Sequence, residues 1–192
     1  MNTKTASSTR PYSGIIRPDR GKTSEYRGIL AMARAGELIK LRNGLYADID
    51  TLTSSMVDIS VVVPGGILCL YSAWYHYGLS TQAPDAFYVA VARSRKLTLP
   101  SFPDIRLVYQ NEKLLHIGRK HAMVDGLDVL ITDLERSVCD AVKYRNKIGI
   151  DVMVEIIDNY LRKPERNISL LTDYAKKLRV YNTLNQILQV KL

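Results

Sequence analysis

The chain has 192 residues, enough for one domain of ordinary size or for a small module beside a larger one. Hydrophobic residues make up 46% of it, which excludes a disordered chain. The formal net charge of +8 favours an acidic partner such as nucleic acid, an anionic surface or an acidic protein, but says nothing about fold.

The two cysteines, Cys69 and Cys139, stand far apart inside apolar patterns and read as buried free thiols of a cytosolic protein. The first residues lack an apolar run after their charges, so a cytoplasmic protein without a signal peptide is expected. The most hydrophobic window, 59–79, is interrupted by Pro64-Gly65-Gly66 and carries Ser72, His76 and Gly78. It reads as core and not as a membrane span, which needs about 20 mostly apolar residues.

In chain order, residues 1–21 are rich in Thr, Ser, Arg and Gly and contain Pro11 and Pro18. They read as a flexible basic arm with at most a short extended piece at 12–17. From Lys22 the pattern sharpens into a helix to about Arg34, with Thr23 or Ser24 as its cap. Tyr26, Ile29, Leu30 and Ala33 form its apolar stripe. Ser24, Arg27, Ala31 and Arg34 line a different, basic face, and Gly36 supplies a left-handed stop. Residues 37–42 read as a strand, Asn43-Gly44 as a hairpin turn, and Leu45-Tyr46 as the returning strand.

A helix followed by a glycine and a short basic hairpin has the form of the end of a winged-helix DNA-binding module. In such a module the helix offers polar and cationic side chains to base edges, while wing cations such as Lys40 and Arg42 hold phosphates. Residues 1–46 hold nine Lys+Arg against three Asp+Glu, so most of the excess charge sits here. An ordinary helix–hairpin with a solvated basic face has the same pattern.

Residues 50–63 read as a short helix or extended segment, and 69–77 as a buried helix ended by Gly78. Its aromatics Tyr71, Trp74, Tyr75 and Tyr77 read as packing, with base stacking as the alternative. His76 has no second ligand at metal spacing and reads as a packed or hydrogen-bonded histidine. Strands are expected at 86–92, 105–109, 116–124 and 127–131, the last two joined by the hairpin dipeptide Asp125-Gly126. The expected product is a small, mainly antiparallel sheet of about four strands, with positive charge along one edge from His116, Arg119, Lys120 and His121.

The stretch 127–149, LDVLITDLERSVCDAVKYRNKIG, is the most legible part of the chain. A strand leads into Thr132-Asp133-Leu134-Glu135, which matches a capping box. The helix that follows has an apolar face of Leu134, Val138, Ala141 and Val142. Arg136 and Asp140, four apart, are expected to pair on its outside. Its last turns carry Lys143, Arg145 and Lys147, cations favoured by the helix dipole and candidates for binding a partner. Helices at 151–161 and 169–178 and a last one after Val180 complete an amphipathic C-terminal third.

No catalytic, cofactor or metal signature is present: the chain lacks G-x-G-x-x-G, the P-loop pattern, C-x-x-C and H-E-x-x-H. The acids Asp125, Asp128, Asp133 and Glu135 gather near a strand end, as metal-nuclease carboxylates do. Asp125 and Glu135 already have structural roles, and no lysine on the adjoining strand completes such a site.

Three blocks, GELIKLRNGLY (36–46), PGGILCLYSAWYHYGLSTQAPDAFYVAV (64–91) and DGLDVLITDLERSVCDAVKYRNKIGIDVMVEIIDNYL (125–161), together resemble the AbiEi-type antitoxin family of type IV toxin–antitoxin, or abortive phage infection, systems. The resemblance implies a winged-helix N-terminus that binds operator DNA as an autorepressor. It also implies a C-terminal domain that counters a cognate nucleotidyltransferase toxin, with no enzymatic activity of its own. Thr23, Ser24, Arg27 and Arg34 are carried over as recognition-helix candidates, and Lys40, Arg42 and Asn43 as wing candidates. The TD-x-ER motif falls on Thr132, Asp133, Glu135 and Arg136 and is read as structural. A full winged helix has further helices ahead of the recognition helix, which residues 1–21 are too short and too rich in Pro and Gly to supply; the module is either trimmed or no longer a DNA binder.

The expected architecture is therefore α+β. A reduced winged-helix-like segment at 22–50 follows the arm, and 51–192 form a mixed domain of small sheet and C-terminal helices. The expected function is that of an antitoxin and DNA-binding autoregulator. The alternatives are a protein–protein interaction module that does not touch DNA and a small metal-dependent nuclease.

Overall fold

The structure, a computed structural model, describes residues 15–19, 21–42, 44–48, 59–100 and 103–191. It divides into two compact units, one of residues 1–57 with 98–102 and one of 58–97 with 103–192.

The first unit contains strand β1 (Ile15–Ile16), helix α1 (Thr23–Arg34) and strands β2 (Leu38–Arg42) and β3 (Leu45–Asp48). The strands form an antiparallel sheet in the order β1-β3-β2. Ile15 and Ile16, part of the expected arm, thus pair with Ala47 and Tyr46; most of the arm, and residues 49–58, lie outside the described residues. Helix α1 starts at Thr23 with Lys22 in the cap position and no side-chain cap, so neither Thr23 nor Ser24 caps it as expected. Its other end is a Schellman closure, in which the Gly36 N–H donates to the Ala33 carbonyl and the Glu37 N–H to the Met32 carbonyl. Gly36 sits at φ +78°, a conformation that suits a residue without Cβ.

The second unit holds α2 (Ile59–Val62), β4 (Ile67–Leu68), α3 (Tyr71–His76), β5 (Phe87–Ala92), β6 (Ile105–Gln110), α4 (Glu112–Leu115), β7 (Arg119–Val124) and β8 (Leu127–Thr132). Helices α5 (Leu134–Ile148), α6 (Ile150–Leu161), α7 (Ile168–Leu178) and α8 (Tyr181–Lys191) follow. Its sheet has five strands in the order β6-β5-β4-β8-β7. The pairs β4–β5 and β7–β8 are antiparallel, whereas β5–β6 and β4–β8 are parallel. The expectation of a mainly antiparallel sheet of about four strands is therefore corrected. The central strand β4 is two residues long, too short to leave a period in the sequence. Parallel neighbours need a long crossover, and the residues between β5 and β6 carry no helical pattern to announce one.

Local chemistry explains the remaining shifts. The expected strand at 116–124 starts only at Arg119, because Asn111 caps the short helix α4 by accepting from the Lys113 N–H. The expected helix at 69–77 starts at Tyr71, after Leu70 takes φ +47° between β4 and α3. Gly66 precedes β4 because a Cβ there would stand 2.5 Å from Val89 Cγ1 and 2.9 Å from the Val63 carbonyl oxygen. Asp125 and Gly126, both at positive φ, make the expected turn between β7 and β8.

The main core lies where Ile67 and Ala90 of the sheet and Trp74 of α3 meet the apolar faces of α5–α8. Leu134, Val138, Ala141 and Val142 of α5, Ile156 and Tyr160 of α6, Leu171 and Ala175 of α7 and Leu184 of α8 all belong to it. Cys69 and Cys139 are buried free thiols; burial pushes both up from the ordinary thiol value.

At the start of α5 the expected contacts are replaced by longer-range ones. The cap is Asp133, which accepts from the Arg136 N–H at 2.8 Å and from the Tyr174 hydroxyl at 3.0 Å. Thr132 instead bonds the Ser137 hydroxyl at 2.9 Å. Glu135 does not reach back to the cap but accepts from the Asn167 N–H at 2.9 Å and the Tyr160 hydroxyl at 3.3 Å. The Arg136–Asp140 pair, expected on the outside, is buried, with side chains 1% and 0% exposed. Arg136 Nε donates to Asp140 at 3.0 Å. Its Nη1 reaches the Leu114 and Ile117 carbonyls at 2.7 and 2.9 Å, and its Nη2 the Gln110 side-chain oxygen at 2.7 Å. Burial pushes the Asp140 carboxyl up, and the adjacent guanidinium opposes that shift.

Removing one member of a buried ion pair leaves the other charge desolvated and alone, at a cost of about 3–5 kcal/mol, whereas replacing both with apolar groups costs far less. Arg136→Met and Asp140→Leu should each lower stability by about that amount in denaturant titrations, and the double variant should recover most of the loss.

Candidate nucleic-acid interface

In α1 the apolar residues Ile29, Leu30, Met32 and Ala33 pack with Leu38 of β2, Tyr46 of β3 and Ile16 of β1. Only Ile29, Leu38 and Tyr46 are fully buried there, so the helix is seated by one small cluster. At 100° per residue, Ser24, Arg27, Ala31 and Arg34 fall on the opposite face, and all four are exposed, as is Thr23. Arg27 and Arg34 make no ion pair or hydrogen bond among the described residues. Their charge is therefore held on an open surface with no internal counter-ion. Lys22, at the start of α1, pairs with Glu25 at 3.8 Å.

Lys40 lies on β2 opposite Tyr46 and is exposed. The register slips between Lys40 and Arg42, a bulge that turns the end of the strand; Leu41 is buried there. Arg42 pairs with Leu45, and Gly44 has φ +73°, as a tight hairpin requires. Asn43 and the side chain of Arg42 lie outside the described residues. The structure thus brings Thr23, Ser24, Arg27 and Arg34 onto one helix face and puts Lys40 on the strand that follows.

Lys143, Arg145 and Lys147, the candidates for a partner surface, do not form one open patch. Lys143 is half-buried beside Asp140, and burial lowers its ammonium from the usual lysine value. Arg145 donates to the Val142 carbonyl at 2.9 Å, and the Lys147 ammonium lies 6.0 Å from the centre of the Tyr144 ring. Lys147 alone of the three is fully exposed.

The remaining candidates have structural partners. Trp74 is buried and donates to the Ser137 carbonyl at 2.9 Å, with Tyr71 edge-on to it at 4.9 Å. His76 rests edge-on against Tyr77 at 4.8 Å. Of the four acids, Asp125 is in a turn, Asp128 pairs with His121 at 3.2 Å, Asp133 caps α5 and Glu135 bonds Tyr160 and Asn167. Among the described residues no three His, Cys, Asp or Glu side chains are placed to hold a metal ion, and no helix is long and apolar enough to cross a membrane.

Residues that lie apart in the sequence form a second positive surface. An open groove is lined by Arg93, Ser94, Asn111, Glu112, Lys113 and His116. Arg93 follows β5 and Asn111 follows β6, so the groove lies at the carboxyl ends of two parallel strands. Its residues are scattered over 24 positions of the chain, and only the parallel pairing, which the sequence did not signal, brings them together.

No family model and no curated protein matches this chain. Among solved structures it is similar to the RV2827C protein from Mycobacterium tuberculosis, known from a crystal structure, with a TM-score of 0.56 and 15% sequence identity. The match covers 79% of this chain and 59% of that one; at this identity the likeness is one of fold alone.

Because Ile29 anchors α1, Ile29→Ala should cost about 2–5 kcal/mol in the first unit. Amide hydrogen exchange should accelerate along α1 and β2–β3, while α5–α8 keep their protection.

Proposed function

We propose that this chain is an antitoxin of the AbiEi type, which binds operator DNA through α1 and the β2–β3 hairpin and represses its own operon. In this reading α1 is the recognition helix of a reduced winged-helix-like module and the hairpin is its wing. The observation that carries the reading is the open basic face of α1, Thr23, Ser24, Arg27 and Arg34, whose arginines have no counter-ions among the described residues, with Lys40 on the following strand. Polar and cationic side chains on one exposed helix face suit base edges in a major groove, and strand cations suit the flanking phosphates. The second unit is the part that counters a cognate nucleotidyltransferase toxin in the cytoplasm. The motif resemblance of 125–161 supports that assignment.

The test is binding of the purified protein to DNA from upstream of its gene, against scrambled DNA, across a salt series. Selective, salt-steep binding is expected. Arg27→Ala and Arg34→Ala should each weaken it and flatten the salt slope by about one unit, while far-UV circular dichroism stays native. Binding that is weak and equal on both DNAs would overturn the repressor role and favour a protein partner. For the antitoxin role, co-expression with a nucleotidyltransferase encoded beside the gene should restore growth of cells that the enzyme alone arrests.

A further inference from the structure

The groove at the carboxyl ends of β5 and β6 has a use that DNA binding by the first unit does not cover. Its volume is about 630 Å³, the size of a small-molecule site. Arg93, Lys113 and His116 converge on it against one carboxylate, Glu112. The side chains of Arg93, Lys113 and His116 form no ion pair or hydrogen bond among the described residues, so the charges of Arg93 and Lys113 face the groove, with Glu112 as the one carboxylate in its lining. Ser94 adds a hydroxyl. Asn111 uses its side-chain oxygen on the Lys113 N–H and keeps its amide N–H groups for other partners.

The groove stands on a fixed floor. Buried Arg136 holds the Leu114 and Ile117 carbonyls from beneath, and the Arg93 N–H donates to the Gln110 carbonyl at 2.9 Å, tying the ends of the two strands together. Gln110, directly before Asn111, gives its side-chain oxygen to Arg136 and has a buried Nε2 with no partner among the described residues. Half-buried Lys143, which feels the charge of Arg93, adds to the positive field. A guanidinium fork beside a lysine point charge matches a multi-oxygen anion, and loops at the carboxyl ends of parallel strands are where open sheets place ligands. The lining has no apolar or aromatic side chain apart from the imidazole, so it recognises charge and oxygen geometry and offers no base-stacking face.

We propose that this groove binds a small phosphorylated ligand through its phosphate oxygens, with Arg93 and Lys113 as the principal contacts. The ligand is either the phosphate chain of a nucleotide or a free polyphosphate. The proposal goes beyond the DNA-binding reading and does not rest on it.

The experiment is calorimetric titration of the full chain with pyrophosphate, ATP and adenosine in about 150 mM NaCl, where bare surface charge is largely screened. Pyrophosphate should bind at one site per chain, and the exposed double variant Arg93→Ala/Lys113→Ala should weaken it by about tenfold or more. Lys176→Ala/Lys177→Ala, a pair of exposed cations on α7, should leave it unchanged. ATP binding at least as tightly as pyrophosphate, with adenosine silent, would identify a nucleotide as the source; tighter binding of pyrophosphate would identify a free polyphosphate. No pyrophosphate binding, or an equal loss in both double variants while both melt like the parent, would overturn the proposal.

Discussion

A guanidinium buried at 1% exposure needs partners for its charge and its N–H groups, and the second unit supplies Arg136 with one carboxylate and three oxygen acceptors besides it. Asp140 balances the charge from one turn along α5. Gln110 comes from the end of β6, and the Leu114 and Ile117 carbonyls from α4 and the turn after it. One side chain therefore joins the first long helix to the edge strand β6 and to the loop that leads into β7. In a low dielectric each of these bonds is strong, and each missing one is costly, so the arrangement tolerates little slippage among α4, α5 and β6. Gly118 belongs to the same constraint: a Cβ there would stand 2.5 Å from Arg136 Cβ, and its φ of +65° already suits glycine.

The neighbours of Arg136 extend this lattice in the other direction. Asp133 engages Tyr174 of α7, and Glu135 engages Tyr160 of α6 and the Asn167 N–H ahead of α7. Burial, with the Asp133 carboxylate beside it, pushes the Tyr174 phenol up to about 12, so it remains a neutral donor to Asp133 at ordinary pH. Asp133 and Glu135 thus hold the helical layer and Arg136 the end of the sheet, all from the first turn of α5. The apolar core of Trp74, Val138, Ile156 and Leu171 supplies the larger driving force; the polar lattice fixes which packing is adopted.

The first unit is built on different terms. The cluster that seats α1 has three fully buried members, Ile29, Leu38 and Tyr46, and Arg27, Arg34 and Lys40 stay on the surface. An element seated by so few apolar contacts sits at the low-stability end of a protein, and its exposed arginines gain little from the chain itself. In the second unit, by contrast, the Arg136–Asp140 pair is buried and satisfied within the fold.

What the sequence determined by itself was local. Helical periodicity fixed α1 and α5–α7 to within a residue or two and placed α8 after Val180, because burial on one face repeats at 3.6 residues. Gly44 and Asp125-Gly126 fixed two hairpins, because few residues accept positive φ. The exposed face carrying Arg27 and Arg34 was legible for the same reason. Only the tertiary structure decided that Arg136 and Asp140 turn inward, since an i, i+4 pair has the same spacing on a wet face and a buried one. It also decided that Glu135 serves a distant N–H, not its own cap, that a two-residue strand sits at the centre of a mixed sheet, and that Arg93 and Lys113 share a groove. Each of these depends on partners 19 or more residues away, and no local period or turn signal encodes a contact at that distance.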